Sequence, residues 1–185
     1  LENNPDAASV QPLIRLWNWP LITLSAGAAM NEYGRGYDFD FMHFQPFPDN
    51  GTVEVPCVTA ALSLFRTEAL QRVKGFDENI FMYFEDIDLS LRLRGLGYKL
   101  LLEPAAEAQH MMGASSSRIK AEKWELRSSA YLTRKYLGGI SSRLPDYWRN
   151  TELRTIISSM IKGRPWFWRL AVLLQVKKMD IEHIS

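Results

Sequence analysis

The feature that most constrains the fold is a helical pattern joined to a strand pattern by one glycine. Apolar residues recur four apart in two pairs, Ile87 with Leu91 and Leu89 with Leu93. This spacing predicts a helix from about Glu85 to Leu96 with a wide apolar face that must be buried. Gly97 ends the helix, and residues 98–102 form a predicted strand that Pro104 stops. A helix followed at once by a buried strand indicates the α/β class.

The other predicted elements are shorter or less regular. Residues 1–50 are rich in Pro, Asn, Asp, Gly and aromatic residues, so we expect only a short extended piece at 10–19 and a long loop at 31–50. The remaining elements follow in chain order: a buried strand or strand pair at 54–65, a helix at 67–73 capped by Thr67 and ended by Gly75, a strand at 107–112, a helix at 118–137 ended by Gly138 and Gly139, and helical stretches at 150–162 and 165–179.

The composition excludes several classes of protein. Of the 185 residues, 46% are hydrophobic and 23% are charged, which is typical of a folded soluble chain. The formal net charge of +1 argues against a dedicated nucleic-acid binder. Cys57 is the single cysteine, so a reducing compartment is expected. No signal peptide is visible, and no apolar run approaches the ~20 residues that span a bilayer. Because the chain begins with Leu, we expect an excised piece of a longer protein.

Three carboxylates, Glu85, Asp86 and Asp88, fall in the first turn of the predicted helix. The free N–H groups and the dipole of a helix start favour negative charge, so helix electrostatics is one explanation. A catalytic site is the other, because apolar and aromatic residues 81–84 directly precede the acids. An aspartate kept ionised by a helix start is also available as a base near neutral pH. Asp88 and Arg92 have the spacing of a helix-holding ion pair. We favour a catalytic role for the first two acids.

One ordered set of residues carries a family resemblance: Gly75-Phe76-Asp77-Glu78, then Tyr83-Phe84-Glu85-Asp86-Ile87-Asp88-Leu89, then Arg92, then Gly97-Tyr98. This set resembles the acceptor-side motif of family-2 glycosyltransferases, sugar-transferring enzymes of the GT-A fold, and the resemblance covers roughly residues 52–137. It implies that Asp86 deprotonates the acceptor hydroxyl as general base. It also implies that Glu85 binds the acceptor or tunes Asp86, and that Tyr83 contacts substrate.

His110 is the candidate metal ligand. A histidine at a strand end is usually a hydrogen-bonded structural residue, which is the alternative. In the resembling enzymes a histidine after this strand helps to bind a divalent ion, so the resemblance implies Mn²⁺ or Mg²⁺ as cofactor. One imidazole alone would hold either ion weakly, since both prefer several oxygen ligands. Asp38-Phe39-Asp40 satisfies the Asp-x-Asp pattern of the family's other metal motif, but it follows no apolar strand, and we interpret it as a loop coincidence.

Residues 55–61 occupy the place where the family usually has a small-residue strand beside the donor sugar and the acceptor. Small side chains let a sugar approach the backbone, although a closely packed core strand is an equal alternative for Ala60 and Ala61. Thr59 is the residue expected to point into the site and bind substrate. We expect Cys57 to be a buried small hydrophobe, because no second cysteine or base supports nucleophilic catalysis.

The C-terminal segment interleaves cationic and aromatic side chains: Arg143, Trp148, Arg149, Arg154, Lys162, Arg164, Trp166, Phe167, Trp168, Arg169, Lys177 and Lys178. This pattern favours an amphipathic helix that lies on anionic lipid, and many resembling enzymes act on lipid-linked acceptors. The alternative is that the apolar residues between Leu170 and Val176 pack on the domain or on a second subunit. Nucleic-acid binding by this segment is not expected.

The sequence therefore predicts an α/β chain with a partial GT-A fold, a mixed sheet with flanking helices and a C-terminal helical extension. We expect residues 1–140 to be the acceptor-side half of the glycosyltransferase domain and residues 141–185 to be the extension. The expected location is cytoplasmic or peripheral at the inner face of the membrane.

The resemblance implies inverting, metal-dependent transfer from a nucleotide-diphospho-sugar to a glycan or lipid-linked acceptor, and rhamnosyltransferases are the nearest-looking members. The family's nucleotide-binding half has no counterpart in these residues, so we expect the chain to be inactive alone. The alternative is a non-catalytic, glycosyltransferase-derived domain that binds carbohydrate or a partner chain.

Overall fold

The computed structural model describes residues 1–44, 51–111 and 118–138, together with Ser158 and Met160. Its strands and helices, in chain order, are β1 (Ala7–Leu16), β2 (Trp19–Ser25), β3 (Ala28–Met30), β4 (Gly36–Asp38), β5 (His43–Phe44), β6 (Val53–Glu54), β7 (Leu64–Phe65), α1 (Thr67–Arg72), α2 (Glu85–Gly95), β8 (Lys99–His110) and α3 (Arg118–Leu137). Apart from two residues, the helical stretches predicted at 150–162 and 165–179 lie outside this description. None of the described helices combines the length and the hydropathy that crossing a membrane requires.

The chain divides into two compact units. The first contains residues 1–30 and 36–116, and its main sheet has the strand order β5-β2-β1-β8-β6, with β7 also paired to β1. β1 and β8 are parallel, whereas the other pairs of this sheet are antiparallel. β3 and β4 form a separate antiparallel pair. The predicted α/β class and mixed sheet with flanking helices are confirmed, and the architecture is consistent with a GT-A-like fold.

The second unit joins residues 31–35 to α3 and the residues after it. The Ser129 and Thr133 hydroxyls of α3 donate hydrogen bonds to the carbonyl of Tyr33 at 3.0 and 2.9 Å. Arg35 forms an ion pair with Glu125, with Nη2 and Oε2 3.0 Å apart. These contacts fix the short segment between β3 and β4 on the helix.

The core of the first unit is built from small and branched apolar residues of the sheet and of both its helices: Ala8, Leu13, Ala26, Val55, Val58, Ala69, Leu89, Leu93, Leu100 and Leu102. Leu89 and Leu93 of α2 are completely buried, as their spacing predicts, whereas Leu91 keeps partial exposure. Each buried leucine contributes roughly 1.5–3 kcal/mol. This burial holds α2, and the carboxylates at its start, against the sheet.

The two long described helices match the sequence prediction closely. α2 begins at Glu85 as predicted and ends one residue early, and Gly97 follows it with φ of 86°. α3 has the predicted bounds 118–137, and Gly138 adopts φ of 77°. A residue with positive φ satisfies the last carbonyls of a helix, and glycine does so without steric strain.

The prediction that Pro104 stops a strand is wrong. β8 runs through it, although the ladder is interrupted there: β1 advances by one residue, from Pro12 to Leu13, while β8 advances from Glu103 to Glu107. Proline lacks a backbone N–H, and such an irregularity is where a strand tolerates that loss. The two strands predicted at 98–102 and 107–112 are therefore one strand.

Three further predictions need correction. The loop expected at 31–50 contains β4 and β5 in its described part. The strand expected at 54–65 is irregular between β6 and β7: Cys57 forms an isolated bridge with Ala28, and the next three N–H groups, of residues 58–60, donate to side chains. Thr67 does not cap α1, since the cap position belongs to Arg66, which makes no side-chain cap hydrogen bond.

Candidate active site

Asp86 is the second residue of α2, where the backbone N–H groups of a helix start have no partner within the helix. Its Oδ2 accepts a hydrogen bond from the N–H of Ala60 at 3.0 Å, and its Oδ1 accepts one from the N–H of Ile87 at 2.8 Å. The residue keeps partial solvent exposure, and among the described residues no cation forms an ion pair with it. Asp86 is thus a carboxylate fixed by backbone donors, on a residue that is not fully buried.

Burial raises the pKa of Asp86 above its ordinary value. Hydrogen bonds from the N–H groups of Ala60 and Ile87 and from the Thr59 hydroxyl act in the opposite direction and keep the rise smaller. The helix start alone would favour ionisation, but desolvation of the carboxylate outweighs it. A carboxylate with a raised pKa is a stronger base, which suits general-base catalysis.

Two more carboxyl groups interact with Asp86. Burial raises the pKa of Glu85, the charge of Asp86 adds to the rise, and Oε2 of Glu85 is buried without a hydrogen-bond partner among the described residues. Burial also raises the pKa of Asp38; a hydrogen bond from Ser25 opposes the rise and the charge of Asp86 increases it. Asp38 is the last residue of β4, so the prediction that it lies in a loop is wrong.

Cys57 lies in the same environment. The thiol is 1% exposed, and burial together with the charge of Asp86 raises its pKa to about 12. A thiol with so high a pKa stays protonated at neutral pH and is a poor nucleophile. The prediction that Cys57 is a buried small hydrophobe is confirmed.

The chain enters α2 through two residues in the left-handed region, Tyr83 with φ of 64° and Phe84 with φ of 66°. For non-glycine residues this conformation costs roughly 1–3 kcal/mol each, and it is common at functional sites. A Cβ on Gly36 of β4 would approach Cδ1 of Phe84 to 2.6 Å and Cγ1 of Ile87 to 2.8 Å. Glycine at position 36 therefore leaves the room that this strained entry needs.

Thr59 lies beside Asp86. Its hydroxyl hydrogen-bonds to Asp86, and Oγ1 accepts a hydrogen bond from the N–H of Ala61 at 3.3 Å. The neighbouring Ala60 contributes only its backbone N–H. Sequence reasoning missed that donor because a backbone group has no residue-type signal.

Asp88 has the structural role that its spacing predicts. Its side chain is completely buried, and its Oδ2 accepts a hydrogen bond from Nε of Arg92 at 2.7 Å. Arg92 also donates from Nη1 to the carbonyl of Val73 at 2.6 Å. The pair therefore ties α2 to the residue that follows α1.

His110 is the last residue of β8, and its side chain is exposed. Its carbonyl accepts a hydrogen bond from the N–H of Trp17 at 3.0 Å. Within the described ranges, no group of three or more His, Cys, Asp or Glu side chains is arranged to hold a metal ion. The described residues therefore do not form a divalent-metal site, and we derive no catalytic step from one.

An open groove of about 600 Å³ lies elsewhere on the first unit, along β1, β7 and β8. Apolar residues such as Val10, Leu64 and Leu101 line most of it. None of Glu85, Asp86, Thr59, Tyr83 and His110 lines this groove.

Comparison with known proteins identifies the family. Residues 4–129 match the model of a family described as "Glycosyltransferase like family 2". The chain is 44% identical over 75 residues to rhamnosyltransferase WbbL of Escherichia coli K12, a match that covers 39% of this chain and 28% of that protein.

It is also 44% identical over 58 residues to an N-acetylglucosaminyl-diphospho-decaprenol L-rhamnosyltransferase of Mycobacterium tuberculosis, from strains CDC 1551 and H37Rv. That match covers 31% of this chain and 19% of the relative. The chain thus spans less than a third of the length of these relatives. The family model covers well over half of the chain, which therefore belongs to glycosyltransferase family 2.

Proposed function

We propose that this chain is the acceptor-binding part of an inverting glycosyltransferase in which Asp86 is the general base. Family membership supports sugar transfer in general. The observation that carries the specific role is the state of Asp86: partly exposed, held by two backbone N–H groups, and without an ion-pair partner among the described residues.

The proposed reaction is a single displacement. Asp86 accepts the proton of the acceptor hydroxyl as that oxygen forms a bond to the anomeric carbon of the donor sugar. The bond from the anomeric carbon to the nucleotide diphosphate breaks, its electron pair leaves with the diphosphate, and the configuration inverts. Three residues near Asp86 are proposed to contact substrate: Glu85 and Tyr83 because they are close to it in sequence, and Thr59 because its hydroxyl interacts with the Asp86 carboxylate.

The donor site is proposed to lie largely in residues outside this chain. The matched relatives are more than three times longer than the segments that align. Metal dependence is part of the same proposal: His110 supplies at most one imidazole, and other ligands for Mn²⁺ or Mg²⁺ have to come from outside the described residues.

We propose a lipid-linked or glycan acceptor and a rhamnose-like donor sugar. The name of the mycobacterial relative contains both a diphospho-decaprenol acceptor and an L-rhamnosyl group. The C-terminal residues 141–185 are proposed to contact the membrane surface on which such an acceptor is found, because they interleave cationic and aromatic residues. Residues 1–140 then form the acceptor-side domain.

The test is made in the longest reading frame that contains this sequence. Release of nucleoside diphosphate from the sugar donor is measured with and without acceptor. Asp86→Asn is expected to lower turnover by about 10²–10⁴ while donor affinity stays the same. Near-normal turnover of that variant contradicts the assignment.

The role of His110 has its own test in the same protein. His110→Ala is expected to weaken the dependence of turnover on Mn²⁺ concentration. His43→Ala is the matched control, since His43 is also an exposed histidine near the end of a strand. A metal response that is the same in both variants removes His110 from the metal site.

A non-catalytic binding domain is the second candidate. It is favoured by one observation, the lack of a metal-ligand group among the described residues. Titration of the longest reading frame that contains this sequence with nucleotide sugar and Mn²⁺ separates the two candidates, because a binding domain without a donor site gives no saturable donor binding.

A further inference from the structure

We propose that Gln11 is a positioning residue that holds the segment around Thr59 so that the N–H of Ala60 faces Asp86. This inference rests on the proposed role of Asp86 as the base. Gln11 itself does not contact that carboxylate; it acts through the backbone of residues 59 and 60.

The side-chain amide of Gln11 is completely buried in the middle of β1. Its Oε1 accepts a hydrogen bond from the N–H of Thr59 at 2.8 Å. Its Nε2 donates to Oγ of Ser25 at 3.3 Å and to the carbonyl of Pro12 at 3.5 Å. A buried amide is retained in a sheet only when such partners satisfy it.

The segment that Gln11 binds has no strand ladder of its own. Three successive N–H groups between β6 and β7 donate to three different side chains: Val58 to Ser90 Oγ at 3.2 Å, Thr59 to Gln11 Oε1 at 2.8 Å, and Ala60 to Asp86 Oδ2 at 3.0 Å. The backbone conformation around Ala60 is therefore set by these side chains. Gln11 supplies the one contact of the three that comes from the sheet rather than from α2.

The Gln11 amide also contacts Ser25, the last residue of β2. Ser25, which accepts the hydrogen bond from Gln11, donates to the carbonyl of Gly27 at 3.3 Å, and that carbonyl also accepts a hydrogen bond from the N–H of Phe39, the residue after Asp38. One buried side chain thus connects the segments that carry Asp38 and the donor to Asp86. Loss of the Gln11 oxygen leaves the Thr59 N–H without its partner and frees the neighbouring Ala60 N–H to move.

The consequence is electrostatic. The Ala60 N–H lowers the pKa of Asp86 against the effect of burial. The other titratable groups that the electrostatics couple to Asp86 are Glu85, Asp38 and Cys57, and none of them carries a positive charge that could replace the Ala60 N–H. Loosening the Ala60 contact therefore raises the pKa of Asp86 further.

The experiment compares Gln11→Met with Ser9→Ala. Methionine keeps the length of glutamine without either polar group. Ser9 is a matched control, since it is also completely buried in β1 and loses one hydrogen bond, from Oγ to the carbonyl of Leu64 at 2.9 Å. Titration of the side-chain carboxyl carbon of Asp86, followed by ¹³C NMR in the full chain, is the first readout, and it needs no catalytic activity.

We expect Gln11→Met to shift the Asp86 titration upward by about one pH unit, the size of a lost hydrogen bond to a charged group. Ser9→Ala is expected to leave it unchanged, although this variant also loses a buried hydrogen bond. An unshifted Asp86 titration in folded Gln11→Met overturns the inference. If Gln11→Met does not fold, Gln11→Asn carries the same test, because it keeps the amide but shortens its reach.

The second readout is the pH dependence of sugar transfer in the longest reading frame. Gln11→Met is expected to move the acidic limb of kcat upward by the same amount while the KM for donor stays constant. If Gln11 has only a structural role, Gln11→Met lowers stability but leaves the acidic limb of the kcat pH profile at the wild-type pH. That result overturns the inference. If no sugar transfer is detected in the wild type, the proposed function fails, whereas the NMR titration still decides the role of Gln11.

Discussion

Asp86 and Asp88 are expected to respond in opposite ways to the same change, aspartate to asparagine. They are two residues apart at the start of α2. Asp86 is partly exposed and is held by two backbone N–H groups. Asp88 is completely buried and is held by the guanidinium of Arg92 at 2.7 Å. One substitution therefore removes a proposed base, and the other breaks an ion pair that stabilises the fold.

The magnitudes follow from these contacts. Asp88→Asn leaves the Arg92 guanidinium facing a neutral amide, and removing one partner of a buried pair costs about 3–5 kcal/mol. We expect the lower end, about 3 kcal/mol, because the Arg92 side chain is 20% exposed and keeps its bond to the Val73 carbonyl. Asp86→Asn keeps one carbonyl acceptor and removes a desolvated charge, so stability should change by no more than about 1 kcal/mol.

Activity should show the reverse order. Loss of a general base lowers turnover by about 10²–10⁴, which corresponds to roughly 2.7–5.5 kcal/mol of transition-state free energy. Asp86→Asn is expected to show this loss, whereas the folded fraction of Asp88→Asn keeps turnover within about threefold of the wild type.

The assay combines urea unfolding of both variants with nucleoside diphosphate release in the longest reading frame. Unfolding gives the free energy from the midpoint and the m-value, and turnover is corrected for the folded fraction. The reasoning is refuted if Asp86→Asn destabilises the chain as much as Asp88→Asn, or if folded Asp88→Asn loses turnover as severely as Asp86→Asn.

Two further predictions concern stability. Gly36→Ala should destabilise the chain by about 1–3 kcal/mol in urea unfolding, because the added Cβ clashes with Phe84. Gly95→Ala is the control: a Cβ there meets nothing within 4 Å, so the free energy of unfolding should rise by up to about 1 kcal/mol. Equal changes in the free energy of unfolding of the two variants would contradict this prediction. The second prediction concerns pH. The folded state raises the pKa values of Glu85 and Asp86 above the ordinary 4.5 and 3.8, so it binds protons more tightly than the unfolded state. This contribution is complete below those ordinary values and is lost as the pH rises through the folded pKa values. Glu85→Gln should therefore gain stability relative to the wild type as the pH is raised from 4 to 8, and a difference independent of pH would show that the charge of Glu85 is not desolvated.

The helices were predictable because their signals are local. The four-residue spacing of Leu89 and Leu93, together with the glycine at position 97, defines α2 without reference to any other part of the chain. The path of β8 through Pro104 was not predictable, since it depends on the parallel ladder with β1, almost a hundred residues away in sequence. A proline is a strong stop signal only where the neighbouring strand needs a backbone N–H at that position, because proline has none.

The site was predictable in the same uneven way. Asp86 was proposed as a base because it matches a family motif, and Thr59 was proposed because it lies in the segment that the resemblance places beside the substrates. Asp38 was noticed as part of an Asp-x-Asp pattern, but its interaction with Asp86 depends on β4, and a strand of three residues is too short to show a periodic pattern. The Ala60 N–H and the Gln11 amide leave no pattern at all, because their roles arise from contacts between distant strands and the irregular segment.

The distribution of cations along α2 decides which aspartate can act as a base. Arg92 is committed to Asp88, and Arg94 is committed to Glu54, with Nη1 and Oε1 2.9 Å apart. If either guanidinium reached Asp86, it would favour the charged form, lower the pKa and leave a weaker base. Within the described part of the chain, Asp86 receives neutral donors only, which hold its geometry but supply much less charge stabilisation than a cation. The helix therefore carries one aspartate paired with a cation and one held by neutral donors only, and the proposed base is the second of these.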